Sequence, residues 1–181
     1  MVNGTDGATD SDDSDPAAFT LGTVSVGSTV FLDPDDNGMQ QLTGPMSEAG
    51  IPGVFIELFL DANQDGVLMG TELTAVATTM TVANGAYYFG DLLPGNYQIQ
   101  VAMSNFDLNG GVLSGLATSS TDIATTGTDN PTDGDDNGLQ PGGAFFLVSS
   151  PFFQLLPGTE EMNEPGSNGD LEATNGDLDA N

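Results

Sequence analysis

The chain has no lysine, no arginine, no histidine, no cysteine and no tryptophan. Each absence excludes something. With no side-chain cation, its 27 aspartates and glutamates find no ion-pair partner on another side chain, and the formal net charge is −27. Those carboxylates must be solvated, hydrogen-bonded or neutralised from outside. Without cysteine no disulfide can staple the fold, although bound metal can take that role. Without histidine, cysteine or lysine the usual nucleophile–base pairs are missing. The nitrogen and sulfur ligands of zinc and copper sites are missing too. Paired carboxylates can hydrolyse glycosides, but here the acids lie in loops with metal-ligand spacing or in tails, and no tryptophan offers a sugar platform. The chain reads as a non-enzyme.

The same charge repels the phosphates of nucleic acid and anionic lipid surfaces. No apolar run approaches the roughly 18 residues that span a bilayer, so neither nucleic acid nor membrane insertion is expected. The opening Met1-Val-Asn-Gly-Thr-Asp lacks a basic stretch and an apolar stretch, so it does not read as a signal peptide.

What is present suits one all-β domain with tails. The length is 181 residues, 38% are apolar, and glycine (25) and proline (10) punctuate Val- and Thr-rich runs. Residues 1–18 read as an acidic flexible arm, 19–157 as a β-sandwich and 158–181 as an acidic Gly/Asn-rich segment. Strands are expected at Val24–Leu32, Val54–Leu60, Leu73–Val82, Ala86–Phe89, Tyr97–Met103 and Ala144–Leu156, the last broken at Pro151. A weaker one is expected at Val112–Ala117. Alternation puts Tyr97, Ile99, Val101 and Met103 on one face and Gln98 and Gln100 on the other. Val54, Ile56, Leu58 and Leu60 suit the core, with Phe55 and Phe59 opposite. Asn84-Gly85 signals a hairpin and Leu93-Pro94-Gly95-Asn96 a turn.

The acids cluster in three loops. Asp61-Ala-Asn63-Gln-Asp65-Gly66-Val67-Leu-Met-Gly-Thr-Glu72 fills a twelve-position calcium-loop template. Asp61, Asn63 and Asp65 alternate, Gly66 turns, Val67 offers a carbonyl and Glu72 stands where a bidentate carboxylate belongs. Calcium takes roughly 6–8 oxygens, and alternating ligands on a tight loop converge on one centre. Asp33-Pro-Asp35-Asp36-Asn37-Gly38 offers Asp33, Asp35, Asn37 and the Met39 carbonyl. Glu48 can close that site if Leu42–Met46 bulge out. Asp133-Gly-Asp135-Asp136-Asn137-Gly138 offers Asp133, Asp135, Asn137 and the Leu139 carbonyl, with Asp129, Glu160 and Glu161 as candidate closing ligands. The reading is about three Ca2+ ions, on hard-oxygen chemistry that magnesium satisfies less well. Halophilic adaptation would explain the acid excess but not this spacing.

Ordered segments carry a resemblance. They run Val26-Gly-Ser-Thr-Val-Phe-Leu-Asp-Pro-Asp-Asp-Asn-Gly-Met-Gln40, then Glu48-Ala-Gly-Ile-Pro-Gly-Val54, then Asn84-Gly-Ala-Tyr-Tyr-Phe-Gly-Asp-Leu-Leu-Pro-Gly-Asn-Tyr97. With Asp133–Gln140 and Ser150–Glu160, they resemble the SdrD B-like repeat, a calcium-binding relative of the collagen-adhesin (Cna) B-type domain of bacterial surface proteins. The resemblance implies an immunoglobulin-like β-sandwich with calcium-binding loops, extracellular or at the cell surface. It departs from some relatives in lacking the lysine needed for a Lys–Asn isopeptide bond. The ending at Asp177-Leu-Asp-Ala-Asn181 falls short of the family's usual last strand.

A sandwich short of a strand can accept one from a neighbour, and Ala17–Val24 is the candidate donor. The expected function is therefore a structural subunit of a calcium-stabilised extracellular bacterial fibre or surface stalk, partnered by copies of itself as a homopolymer or tandem repeat. The alternative is an adhesin module binding a host, matrix or glycan ligand.

Overall fold

A computed structural model of the chain describes residues 22–45, 47–118, 138–140 and 147–157. Seven strands run β1 (Val24–Thr29), β2 (Phe55–Asp61), β3 (Ala77–Met80), β4 (Ala86–Leu92), β5 (Gly95–Val101), β6 (Val148–Ser149) and β7 (Phe153–Leu155). Two single-turn 3-10 segments, Gly70–Leu73 and Met103–Phe106, interrupt them, and no α-helix occurs among the described residues.

The strands form two antiparallel sheets. One pairs β1 with β4, from Val24 opposite Leu92 to Thr29 opposite Ala86, with a bulge between Val24 and Val26. The other has the order β3-β2-β5-β6, with β7 pairing the start of β5. Alternation explains why β2 sits at the centre. Val54, Ile56 and Leu58 are each 0% exposed, and every fully buried aliphatic side chain contributes roughly 1.5–3 kcal/mol. Val26, Phe89, Ile99 and Val148 of the two sheets and Phe106 of the second 3-10 segment share the core with them. Tyr97 packs beside Phe153. Its hydroxyl donates to the Leu93 carbonyl at 2.6 Å. This is the tyrosine-corner arrangement, which pins the crossing from one sheet to the other.

Several expectations are corrected by packing. Val112–Ala117 is a turn, because Gly110 (φ 129°) and Gly115 (φ 82°) bend it. It drops Leu113 into the core, where its N–H bonds the Asn105 carbonyl. The strand expected from Leu73 begins at Ala77, since Gly70–Leu73 coils to bring Glu72 back. Met103 leaves the Tyr97 face for a 3-10 turn and is 50% exposed. Leu60 is only partly buried, whereas Phe59 on the other face is 6% exposed.

Asn84-Gly85 does make a tight turn, with Gly85 N–H on the Val82 carbonyl. It links strands of different sheets, however, and closes no hairpin ladder. Val24, the last residue of the candidate donor segment, is held in its own β1 opposite Leu92. Residues 17–21 lie outside the described residues, as do residues 158–181.

Candidate metal centre

The first loop begins where β1 lets go of β4. Val30 N–H bonds the Gly85 carbonyl and Leu32 N–H bonds the Ala49 carbonyl, so the chain crosses over to the Glu48–Gly50 arm. Asp33 then organises the turn. Its Oδ1 accepts from Asn37 N–H at 3.3 Å and its Oδ2 from Gly38 N–H at 2.8 Å. Asn37 Oδ1 accepts from Met39 N–H at 2.8 Å. Asp36 (φ 57°) and Gly38 (φ 73°) adopt the left-handed backbone that such a wrap needs.

The second loop repeats this shape. Asp61, 1% exposed, accepts from Gln64 N–H at 2.7 Å and from Gly66 N–H at 3.0 Å. Asp65 Oδ1 accepts from Val67 N–H, as Asn37 does from Met39. Gln64 (φ 60°) and Gly66 (φ 75°) match Asp36 and Gly38. Two segments of different sequence thus share one backbone wrap around a leading aspartate.

They differ in what closes them. In the second loop Glu72 turns back over the start. Its Oε1 accepts from Ala62 N–H (3.0 Å) and Asn63 N–H (3.3 Å), and its Oε2 from Met69 N–H (3.0 Å). Asn63 Oδ1 accepts from Asp65 N–H and its Nδ2 donates to Asp65 Oδ2. The carboxylates of this loop serve backbone donors and the Asn63 amide. In the first loop, carboxylate oxygens of Asp33, Asp35 and Glu48 all lie within 4.8 Å of one another. Among the described residues this is the one group of three acids drawn so close.

Glu48 holds the unusual position. It is 5% exposed. Its N–H donates to the Gln41 carbonyl at 2.6 Å, and Gln41 N–H donates back to Glu48 Oε2 at 3.0 Å. Gln41 Nε2 also reaches Asp35 Oδ2 at 3.3 Å. Ser47 N–H bonds the Gly44 carbonyl, and residues 42–45 and 47 are exposed. Glu48 Oε1 is buried with no hydrogen-bond partner. Burial pushes the Glu48 carboxyl above its ordinary value, and the charges of Asp33 and Asp35 and a side-chain hydrogen bond with Asp33 push it further, only partly offset by the Gln41 N–H. A buried carboxylate oxygen without a donor, facing two more acids, is costly unless a proton or a cation meets it.

The third loop, with Asp133, Asp135 and Asn137, lies outside the described residues, as do Asp129, Glu160 and Glu161. Leu139 is described, and exchanges two hydrogen bonds with Ser149 at 2.8 and 3.0 Å. An apolar cavity of about 370 Å³ between the sheets is lined by Ile56, Ile99 and Val148, and reaches Asp33, Asp36 and Gly138. Asp33 and Asp36 of the first loop and Gly138, the last residue of the third, therefore line the same cavity. Spacing does not single out Gln41, because its contribution is a backbone bond and an amide that any short turn could supply.

The family model of the SdrD B-like domain matches residues 24–140. The chain belongs to the SdrD B-like domain family. The fold is accordingly an immunoglobulin-like β-sandwich, and the family is one of non-enzymatic domains of surface proteins. Similar proteins include colossin-A of Dictyostelium discoideum, 32% identical over 81 residues. Colossin-B of the same organism is 35% identical over 77 residues. The first match covers 45% of this chain and 1% of the relative, the second 42% and 2%. No helix among the described residues is long and apolar enough to cross a membrane.

Proposed function

We propose that this SdrD B-like domain is a structural subunit of an extracellular bacterial fibre or surface stalk, stiffened by calcium. The observation that carries the reading is the buried, unpartnered Oε1 of Glu48 beside Asp33 and Asp35. A hard divalent cation fits an all-oxygen donor set. Asp33, Asp35 and Glu48 would hold it, with Asn37 and the Met39 carbonyl as further oxygens. Bound there, calcium supplies positive charge and ties the loop after β1 to the arm before β2. Its binding free energy then adds to folding. Asp61, Asn63, Asp65, Val67 and Glu72, and Asp133, Asp135, Asn137 and Leu139, are proposed for the second and third ions.

Titration calorimetry with calcium tests this reading. The wild-type chain is expected to bind about three ions, and Glu48→Gln to lose one of them. An unchanged isotherm in the variant would remove the first loop from the proposal. The structural reading is favoured over a ligand-binding adhesin because Tyr88, 37% exposed, is the one exposed aromatic among the described residues.

Strand exchange between subunits belongs to the same proposal, restricted now to the arm before Val24, since Val24 itself is held by β4. Deleting residues 1–21 should abolish filaments seen by electron microscopy. Filaments of normal length from the shortened chain would rule the exchange out.

A further inference from the structure

A chain of net charge −27 with no lysine, arginine or histidine cannot attract a copy of itself by charge. A homotypic contact must use surface without carboxylates. The segment 73–90 contains none. It includes β3, which among the described residues ends its sheet and pairs with β2 alone.

The hydrogen-bond phase of β3 is set at one end. Thr81 N–H bonds the Val54 carbonyl at 2.9 Å and the Thr81 carbonyl accepts from Gly53 at 2.9 Å. In an antiparallel ladder, alternate residues direct their backbone groups to alternate sides. With Phe55 opposite Met80 and Glu57 opposite Thr78, Thr79 points its backbone groups at β2. Thr78 and Met80 point theirs to the open edge. Their side chains share the outer face with Val82, and Val76, whose N–H bonds the Leu58 carbonyl, flanks the strand at its other end. Val76, Met80 and Val82 are 53%, 59% and 55% exposed. An apolar, uncharged open edge is a template for another strand.

We propose that β3 is a homotypic docking edge, on which a second copy pairs its own β3 antiparallel about a two-fold axis at Thr79. In that register Thr78 lies opposite the partner's Met80 and the reverse, closing four N–H···O bonds. Val76 and Val82, which flank the ladder, are uncharged as well, so no carboxylate lies opposite another across the contact. Val82 N–H is already committed to the Ala86 carbonyl, which ends the ladder.

The nearest acid in the sheet is Glu57, one strand in. Three strand spacings, roughly 14 Å, separate it from its symmetry mate. That exceeds the Debye length of about 8 Å at physiological salt. No other neutral surface is guaranteed to match this edge as its own copy is, and the isologous contact closes at two subunits. The edge is short, so the contact is weak and suits copies crowded side by side.

Because the chain has no cysteine, a single introduced thiol reports the register. Thr79 and its mate form a non-hydrogen-bonded pair with Cα atoms about 4.5 Å apart, within disulfide reach. Thr79→Cys should form a covalent dimer within minutes of adding diamide to the full chain. Thr23→Cys, exposed beside the other sheet, should not. Adding Met80→Glu should slow the cross-link at least tenfold. Cross-linking of Thr79→Cys no faster than Thr23→Cys, or untouched by Met80→Glu, overturns the proposal. Sedimentation equilibrium of the unsubstituted chain gives a second readout. Its average mass should rise more steeply with concentration than that of Met80→Glu; identical curves for the two chains would also overturn it.

Discussion

Removing calcium should lower the melting temperature by about 5–10 °C for each occupied site. A ligand at a hundredfold excess over its Kd stabilises a protein by about 2.7 kcal/mol. A domain of this size shifts by roughly 2–4 °C per kcal/mol. The loss is expected to concentrate at the first loop, because the fold itself holds its acids together. Glu48→Gln should abolish that share of the calcium effect. It should leave the metal-free chain no less stable, since a neutral amide replaces a buried carboxylate crowded by Asp33 and Asp35.

The sign of the pH dependence follows from the raised Glu48 pKa. The folded, metal-free chain holds that proton more tightly than the unfolded chain does. Its stability therefore grows as pH falls through the raised value, until the unfolded side chain also protonates near its ordinary value of 4.5. With calcium present, proton and cation compete for the same oxygens. The gap between calcium-loaded and metal-stripped melting temperatures should thus narrow from pH 7 to pH 5. Equal gaps at the two pH values, or no gap at all in moderate salt, would count against calcium at Glu48.

The two loops differ in how far they could be read from sequence. The second carries the full residue-type template, and its twelfth position, Glu72, accepts from N–H groups at the loop's start. Yet Asp61, Asp65 and Glu72 are spread over backbone donors, because each carboxylate finds N–H groups of its own loop close by. The first loop lacks a twelfth-position acid. Its closing Glu48 lies fifteen residues after Asp33, beyond any local template. What brings it in is tertiary: the Gln41 backbone pair, the Leu32–Ala49 bond and burial. Strand positions were legible wherever period-two alternation met β-branched residues, as in β2 and β5. The alternation misled at Met103 and at Val112–Ala117, where 3-10 turns and left-handed glycines redirect apolar side chains into or away from the core. The turn at Asn84-Gly85 was legible as a turn, but which sheet each flanking strand joins is decided by pairings distant in sequence.

Those distant pairings underlie the second large effect, expected for Gly50→Ala. Three backbone segments cross at this point. Ile51 N–H bonds the Val30 carbonyl at 2.7 Å, Val30 N–H bonds the Gly85 carbonyl at 2.9 Å, and Phe31 bridges Gly50. A Cβ on Gly50 would stand 1.7 Å from the Asn84 carbonyl oxygen and 2.6 Å from Gly85 N. These are backbone atoms of a tight turn, so neither can swing away as a side-chain end could.

One segment must therefore shift, at a cost of about 3 kcal/mol or more. The melting temperature should fall by roughly 6–12 °C at 2–4 °C per kcal/mol. The shift would fall on the arm that carries Glu48, two residues before Gly50, so the acid would lose its place opposite Asp33. The variant is thus expected to lose calcium affinity at the first loop as well as stability, although no ligand is altered. A contrasting substitution separates the two effects. Gly44, unlike Gly50, is left-handed (φ 98°), but a Cβ there meets nothing within 4 Å. Gly44→Ala should cost only the backbone strain of about 1 kcal/mol and keep Glu48 in place. If Gly50→Ala binds calcium as the wild type does, the crossing does not position the site, and the convergence of Asp33, Asp35 and Glu48 must have another cause.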